Sequence, residues 1–143
     1  MLFRSLKCTT AVHICYGYGI KANTDWKQTL GGEWRQYEDT FPSIDKSTIQ
    51  QVAIECRNSK VPLELLSLLP NKIVQAGVID VANDEIETAE DVVKVIEAVA
   101  KFVPKANIVA TTNCGMAPMR RDIAEAKLMA LGAGAKLARQ RLG

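Results

Sequence analysis

Thr10-Ala11-Val12-His13-Ile14-Cys15 reads as a β-strand, carried by β-branched residues and followed by a glycine-rich exit. Three more strand patterns come after it. They are Gln51-Val52-Ala53-Ile54-Glu55, the region Lys72 to Val81, and Ile108-Val109-Ala110-Thr111. Helical patterns separate them. Tyr16 to Gly32 reads as a long loop, and Glu33 to about Asp45 as a helix interrupted near Pro42. Pro62 suits a first helical turn, with Leu63 to Leu69 as a short apolar helix ended by Pro70. Thr88-Ala89-Glu90-Asp91 has the form of a capping box, and Val92, Val95, Ile96, Val99 and Phe102 recur behind it at helical spacing until Pro104. From about Pro118 a long final helix runs nearly to the end. Its Leu128, Leu131, Ala135, Ala138 and Leu142 form a core stripe, with Arg120, Arg121, Lys127 and Arg139 mostly off it. The order is β-α four times over, which implies an α/β fold with a parallel sheet and right-handed crossovers. No repeat, low-complexity stretch or linker divides residues 1–143, so they read as a single unit.

Composition excludes several classes of function. A formal net charge of +2 gives no electrostatic case for nucleic acid or for an anionic membrane. No apolar run approaches the roughly 20 residues that span a bilayer. Met1 to Thr10 has no apolar signal core, so the expected location is cytoplasmic and the four cysteines are expected as free thiols. The G-x-G of Gly17 and Gly19 lacks the surrounding strand-loop-helix fingerprint of a phosphate loop.

The chemistry gathers at strand ends. Strand side chains alternate faces, so His13 and Cys15 point the same way at the carboxyl end of the first strand. Glu55 ends the second strand, and Cys114 follows the fourth. In parallel α/β folds these ends share one rim, where sites form. Two thiols, one imidazole and one carboxylate make a tetrahedral zinc set in which the carboxylate can yield to an incoming thiol. The plainer alternative is a loop-capping Glu55 and structural cysteines; taken singly, a lone histidine or cysteine reads that way.

The same residues resemble the carboxyl-terminal part of cobalamin-independent methionine synthase. The matching pieces are HICYGYG (His13 to Gly19), IEC-x-x-S (Ile54 to Ser59), GVIDV (Gly77 to Val81) and NCGM (Asn113 to Met116), in the family's order. The resemblance is to the shorter, single-barrel "core" branch. It implies a methyltransferase in which zinc, held by His13, Cys15, Glu55 and Cys114, binds the sulfur of homocysteine, which takes a methyl group to give methionine. It also implies that this chain is four β-α units of a (β/α)8 TIM-type barrel, a half-barrel of 143 residues where a whole barrel has roughly 250.

Two departures bear on the methyl donor. Val81-Ala82-Asn83 stands where the long enzymes place a histidine, and Asn113-Cys114-Gly115 replaces the more usual Asp-Cys-Gly. Methyltetrahydrofolate and a methylcorrinoid both stay open as donor. The loop Tyr16 to Gly32 is longer than in the long enzymes and is expected to shape the donor pocket. Asp80 and Asn113 stand at the rim as candidate substrate contacts, with hydrogen bonding inside the protein as the equal alternative. A half-barrel exposes two edge strands, so it is expected to associate with itself or with a missing N-terminal half. Two other functions compete: a non-catalytic or truncated zinc-binding half-barrel serving as an assembly partner, and methyl transfer to a different thiol, as in corrinoid-linked coenzyme M methyltransferases.

Overall fold

Four strands form one all-parallel sheet in the order β1 (Ala11–Ile14), β2 (Gln51–Glu55), β3 (Ile73–Ile79), β4 (Ile108–Thr112). The structure is a computed structural model and describes residues 6–143; residues 1–5, part of the stretch inspected for a targeting signal, lie outside it. The helices are α1 (Lys21–Gln28), α2 (Tyr37–Asp45), α3 (Ala89–Val99) and α4 (Arg121–Leu142). Short 3-10 helices at Leu63–Leu68 and Lys105–Asn107 complete the connections. Among the described residues, no helix is long and apolar enough to cross a membrane.

The period-2 alternation sorts the sheet into two unlike faces. In register, Val12, Val52, Val74 and Ile108 form one row across the four strands, with Ile14, Ile54, Ala76 and Ala110 beyond it. These join the core with Phe41, Leu65, Val92, Ile96 and Val99 from the helical layer. Each fully buried valine or isoleucine there is worth about 1.5–3 kcal/mol of transfer free energy. The neighbouring row is His13, Ala53, Gln75 and Val109. His13 is exposed, Val109 is 44% exposed, and Gln75 bonds sideways to Gln51 at 2.5 Å. So one face is covered by helices, and the other, which carries His13, is exposed at its edge strands and closed at Ala53 in between.

Several sequence expectations need correction. The stretch 16–32 is not all loop, because α1 lies within it. Its sequence KANTDWKQ buries no residue and has no apolar stripe to reveal a helix. It is held from outside by Trp26, stacked on Tyr16 at 5.6 Å. The helix expected from Glu33 begins only at Tyr37, and Pro42 lies inside it without breaking it. Buried Tyr37 and Phe41 anchor its turns, and a proline removes only one helical N–H. In α3 the capping box forms as read, with Asp91 N–H on Thr88 Oγ1 at 3.2 Å and Thr88 N–H on Asp91 Oδ2 at 3.0 Å. Phe102, read as part of that helix's stripe, lies beyond its end and is 38% exposed.

The stripe of α4 holds at Leu131, Ala138 and Leu142, which join or pack on the core, but not at its N-terminal end. Leu128 is 51% exposed, while Lys127, placed off the stripe, is fully buried. The buried residues are Lys127, Gly134 and Ala138, and Gly134 is the contact point with α3. A Cβ at Gly134 would lie 2.3 Å from Val92 Cβ, so only glycine lets the two helices approach this closely.

Candidate metal centre

All four strands end on one rim, and the sequence-selected residues lie along it. Cys15 follows β1, Glu55 closes β2, Asp80 follows β3, and Asn113-Cys114 follow β4. Donor atoms of His13, Cys15 and Cys114 lie within 4.8 Å of one another. The two sulfurs are 3.7 Å apart. That is far beyond the roughly 2.05 Å of a disulfide. Two thiolates each about 2.3 Å from a tetrahedral zinc stand about 3.8 Å apart. The donor types and their spacing therefore fit a zinc ion without rearrangement of the sulfurs.

Burial, with contributions from Cys114 and the Glu55 charge, pushes the Cys15 thiol up to about 11. Free of metal, it keeps its proton at neutral pH. A dication reverses this balance, since a coordinating thiol is deprotonated.

Glu55 stands apart from the three donors. It is 1% exposed, and both carboxylate oxygens are engaged. Tyr16 N–H donates to Oε1 at 2.7 Å and the Tyr18 hydroxyl to Oε2 at 2.5 Å. Asn113 is a positioning group here. Its Oδ1 accepts from Cys56 N–H at 3.2 Å and Arg57 N–H at 3.3 Å, and its Nδ2 donates to the Arg57 carbonyl at 2.7 Å. This fixes the turn that presents Cys114. Gly77 makes room for it: a Cβ there would lie 2.5 Å from Asn113 Oδ1 and 2.7 Å from its Cα.

Asp80 is buried, and its carboxylate accepts from Ala82 N–H at 2.8 Å, Asn58 Nδ2 at 2.9 Å and Asn83 Nδ2 at 2.8 Å. Its own N–H donates to Glu87 Oε1 at 2.8 Å. Glu87 in turn is paired with the buried Lys127 at 3.0 Å, and Lys127 also donates to the Glu85 carbonyl. The loop that carries Asp80 is thus tied to the N-terminal third of α4.

Beside the metal group opens a cavity of about 480 Å³ lined by Tyr18, Lys27, Trp34, Glu55, Asn58 and Asp80, among others. A space of that size suits a small ligand. Sequence reasoning singled out Glu55 and Asp80 but missed the aromatic and cationic wall. Lys27 Nζ sits 4.4 Å from the Tyr18 ring centroid and 5.5 Å from that of Trp34. It comes from α1, the element that carried no periodic signal.

Residues 34–137 match the family described as "Cobalamin-independent synthase, Catalytic domain". Among curated relatives, the chain is 28% identical over 142 residues to a methionine synthase of Saccharolobus solfataricus, covering 97% of this chain and 37% of that protein. A methionine synthase of Pyrococcus horikoshii is 28% identical over 140 residues, with 97% and 36% covered. Among solved structures, a B12-independent methionine synthase from Shewanella sp. W3-18-1, in complex with selenomethionine, superposes with a TM-score of 0.93 at 55% identity. That match covers 98% of this chain and 41% of the Shewanella chain. The four-stranded parallel sheet therefore corresponds to part of a barrel, and the chain spans between a third and a half of the length of these relatives.

Proposed function

The chain belongs to the family of cobalamin-independent synthase catalytic domains, and on that footing we propose that it carries the thiol-activating part of a methionine-forming methyltransferase. In this reading it supplies the carboxyl-terminal four β-α units of the barrel as a single unit. The observation that carries the proposal is the convergence of His13, Cys15 and Cys114, with sulfurs at the separation two zinc thiolates require.

His13, Cys15 and Cys114 would hold the zinc, with Glu55 as the exchangeable fourth ligand. When bound, zinc supplies the Lewis acidity that keeps an incoming homocysteine thiol as a thiolate at neutral pH. The chain's own residues do the rest. Asn113, docked against Gly77, fixes the Cys114 turn; the Lys127–Glu87 pair holds the Asp80 loop at the cavity wall. Homocysteine would enter the cavity with its sulfur toward the rim. In the transfer, a bond forms between sulfur and the methyl carbon as the bond from that carbon to the donor breaks, its electron pair staying with the donor; the thiol proton passes to solvent beforehand. That the related Shewanella enzyme is solved in complex with selenomethionine, a selenium analogue of methionine, supports a methionine-forming reaction.

The test is calorimetric titration of the zinc-loaded chain with homocysteine and, in parallel, homoserine, which replaces the sulfhydryl by a hydroxyl. Homocysteine is expected to bind and homoserine not. Equal binding of the two, or homocysteine binding that persists after zinc removal, contradicts thiol activation at this centre.

A further inference from the structure

We propose that Tyr18 is a positioning residue which, with the Tyr16 N–H, provides a resting place for the Glu55 carboxylate away from the three metal donors, so that the fourth coordination position can pass from carboxylate to thiol. The inference rests on the metal reading above and adds a role for a residue which that reading leaves unused.

Burial sets the problem. Glu55 is 1% exposed, so a carboxylate that leaves a cation there has no bulk water to turn to. An ionised group stranded in such a place is costly unless donors are built around it. The structure supplies two, one for each oxygen: Tyr16 N–H at 2.7 Å and the Tyr18 hydroxyl at 2.5 Å. Hydrogen bonds to an ionised acceptor are the stronger kind.

Both donors come from the three residues after Cys15, so the segment that brings a metal donor also brings the resting place. Its backbone is shaped for this. Tyr18 lies between Gly17 at φ 80° and Gly19 at φ 74°, left-handed conformations that glycine adopts freely. A Cβ at Gly17 would lie 2.2 Å from Asn23 Nδ2, so a larger residue there would also have to displace the Asn23 side chain. The Tyr18 hydroxyl accepts from Asn113 Nδ2 at 3.4 Å, and Lys27 sits over the ring. The phenol is thereby held among the ends of β1, β2 and β4.

This arrangement makes a prediction of sign. If Tyr18 stabilises Glu55 off the metal, removing its hydroxyl raises the energy of the resting state and leaves the ligated state unchanged. Zinc then binds more tightly. If Tyr18 only steadied Glu55 as a ligand, as outer partners of metal ligands commonly do, its removal would weaken zinc binding.

The experiment is zinc affinity of the full chain, measured by competition with a chromophoric chelator, for wild type, Tyr18→Phe, Glu55→Ala and the double variant. Tyr18→Phe is expected to bind zinc about tenfold more tightly, and to have no effect in the Glu55→Ala background. In the cobalt-substituted chain, Tyr18→Phe is expected to need about tenfold more homocysteine to develop the added thiolate absorption band. Weaker or unchanged zinc affinity in Tyr18→Phe overturns the proposal. So does a tightening of equal size in both backgrounds, because the effect then does not run through Glu55. Failure of the metal reading itself is seen separately, as absence of zinc uptake by the wild-type chain.

Discussion

Cys15 is a poor nucleophile and a poor ligand until something takes its proton. With its thiol pushed up to about 11, chiefly by burial, ligation to zinc at neutral pH must release that proton. The sign follows directly: raising the pH makes the released proton cheaper to lose, so zinc affinity rises. We expect a gain of about tenfold or more per pH unit between pH 6 and 8, checked by chelator competition at each pH. An affinity flat across that range contradicts thiol ligation by Cys15. At this scale much of the site was legible. His13 and Cys15 are two apart on a strand, and Glu55 and Cys114 mark strand ends, so alternation and topology alone put them on one rim. Tyr18 and Lys127 were not legible. A tyrosine between glycines has no periodic signal, and a lysine within an amphipathic pattern is assigned to solvent by default. Its partners, the Glu87 carboxylate and the Glu85 carbonyl, make its burial tolerable.

Among the elements, α4 is tied to the sheet's loops by a buried charge pair and to α3 by a missing side chain. Lys127→Ala leaves Glu87, 4% exposed at its side chain, with only the more distant Arg57 guanidinium at 4.0 Å. Breaking such a pair costs about 3–5 kcal/mol, so urea denaturation should show a loss of that order. A change within about 0.5 kcal/mol, normal for an exposed lysine, contradicts the buried pairing. Gly134→Ala sets two effects against each other. Helix propensity favours alanine by about 1 kcal/mol. A Cβ 2.3 Å from Val92 Cβ and 3.0 Å from the Ala89 carbonyl overpacks the contact, at about 1–3 kcal/mol. Overpacking at backbone is the harder to relieve, so we expect net destabilisation in the same denaturation assay; a stabilised variant contradicts the close α3–α4 approach. The elements also show where pattern reading stops. All four strands and α3 emerge from β-branched alternation and a capping box. α1 does not, because a helix held by one stacked tryptophan and a lysine has no apolar face to read. The stripe of α4 was read correctly at Leu131, Ala138 and Leu142 but missed at its start, because Lys127 and the small Gly134 mark the buried face while Leu128 faces out.

For the molecule as a whole, the sheet has two unpaired edges among the described residues and one face that helices do not cover. Parallel sheets are ordinarily buried on both faces. That face carries Val109, 44% exposed on edge strand β4, and the match to relatives spans 36–41% of their length. In isolation the chain is therefore expected to self-associate, with light scattering giving a mass above the 15.7 kDa of one copy. A well-dispersed monomer contradicts that expectation. The three grouped donors, by contrast, all lie within this part of the barrel: His13 and Cys15 come from β1 and its end and Cys114 from the end of β4, beside a core the chain builds for itself. The most direct test of the account is therefore metal content of the purified chain beside Cys15→Ser and Cys114→Ser, measured by mass spectrometry of the eluted metal. The account predicts one zinc per wild-type chain and its loss in each variant. A wild-type chain that retains no zinc after loading, or cysteine variants that retain it fully, contradicts the central claim.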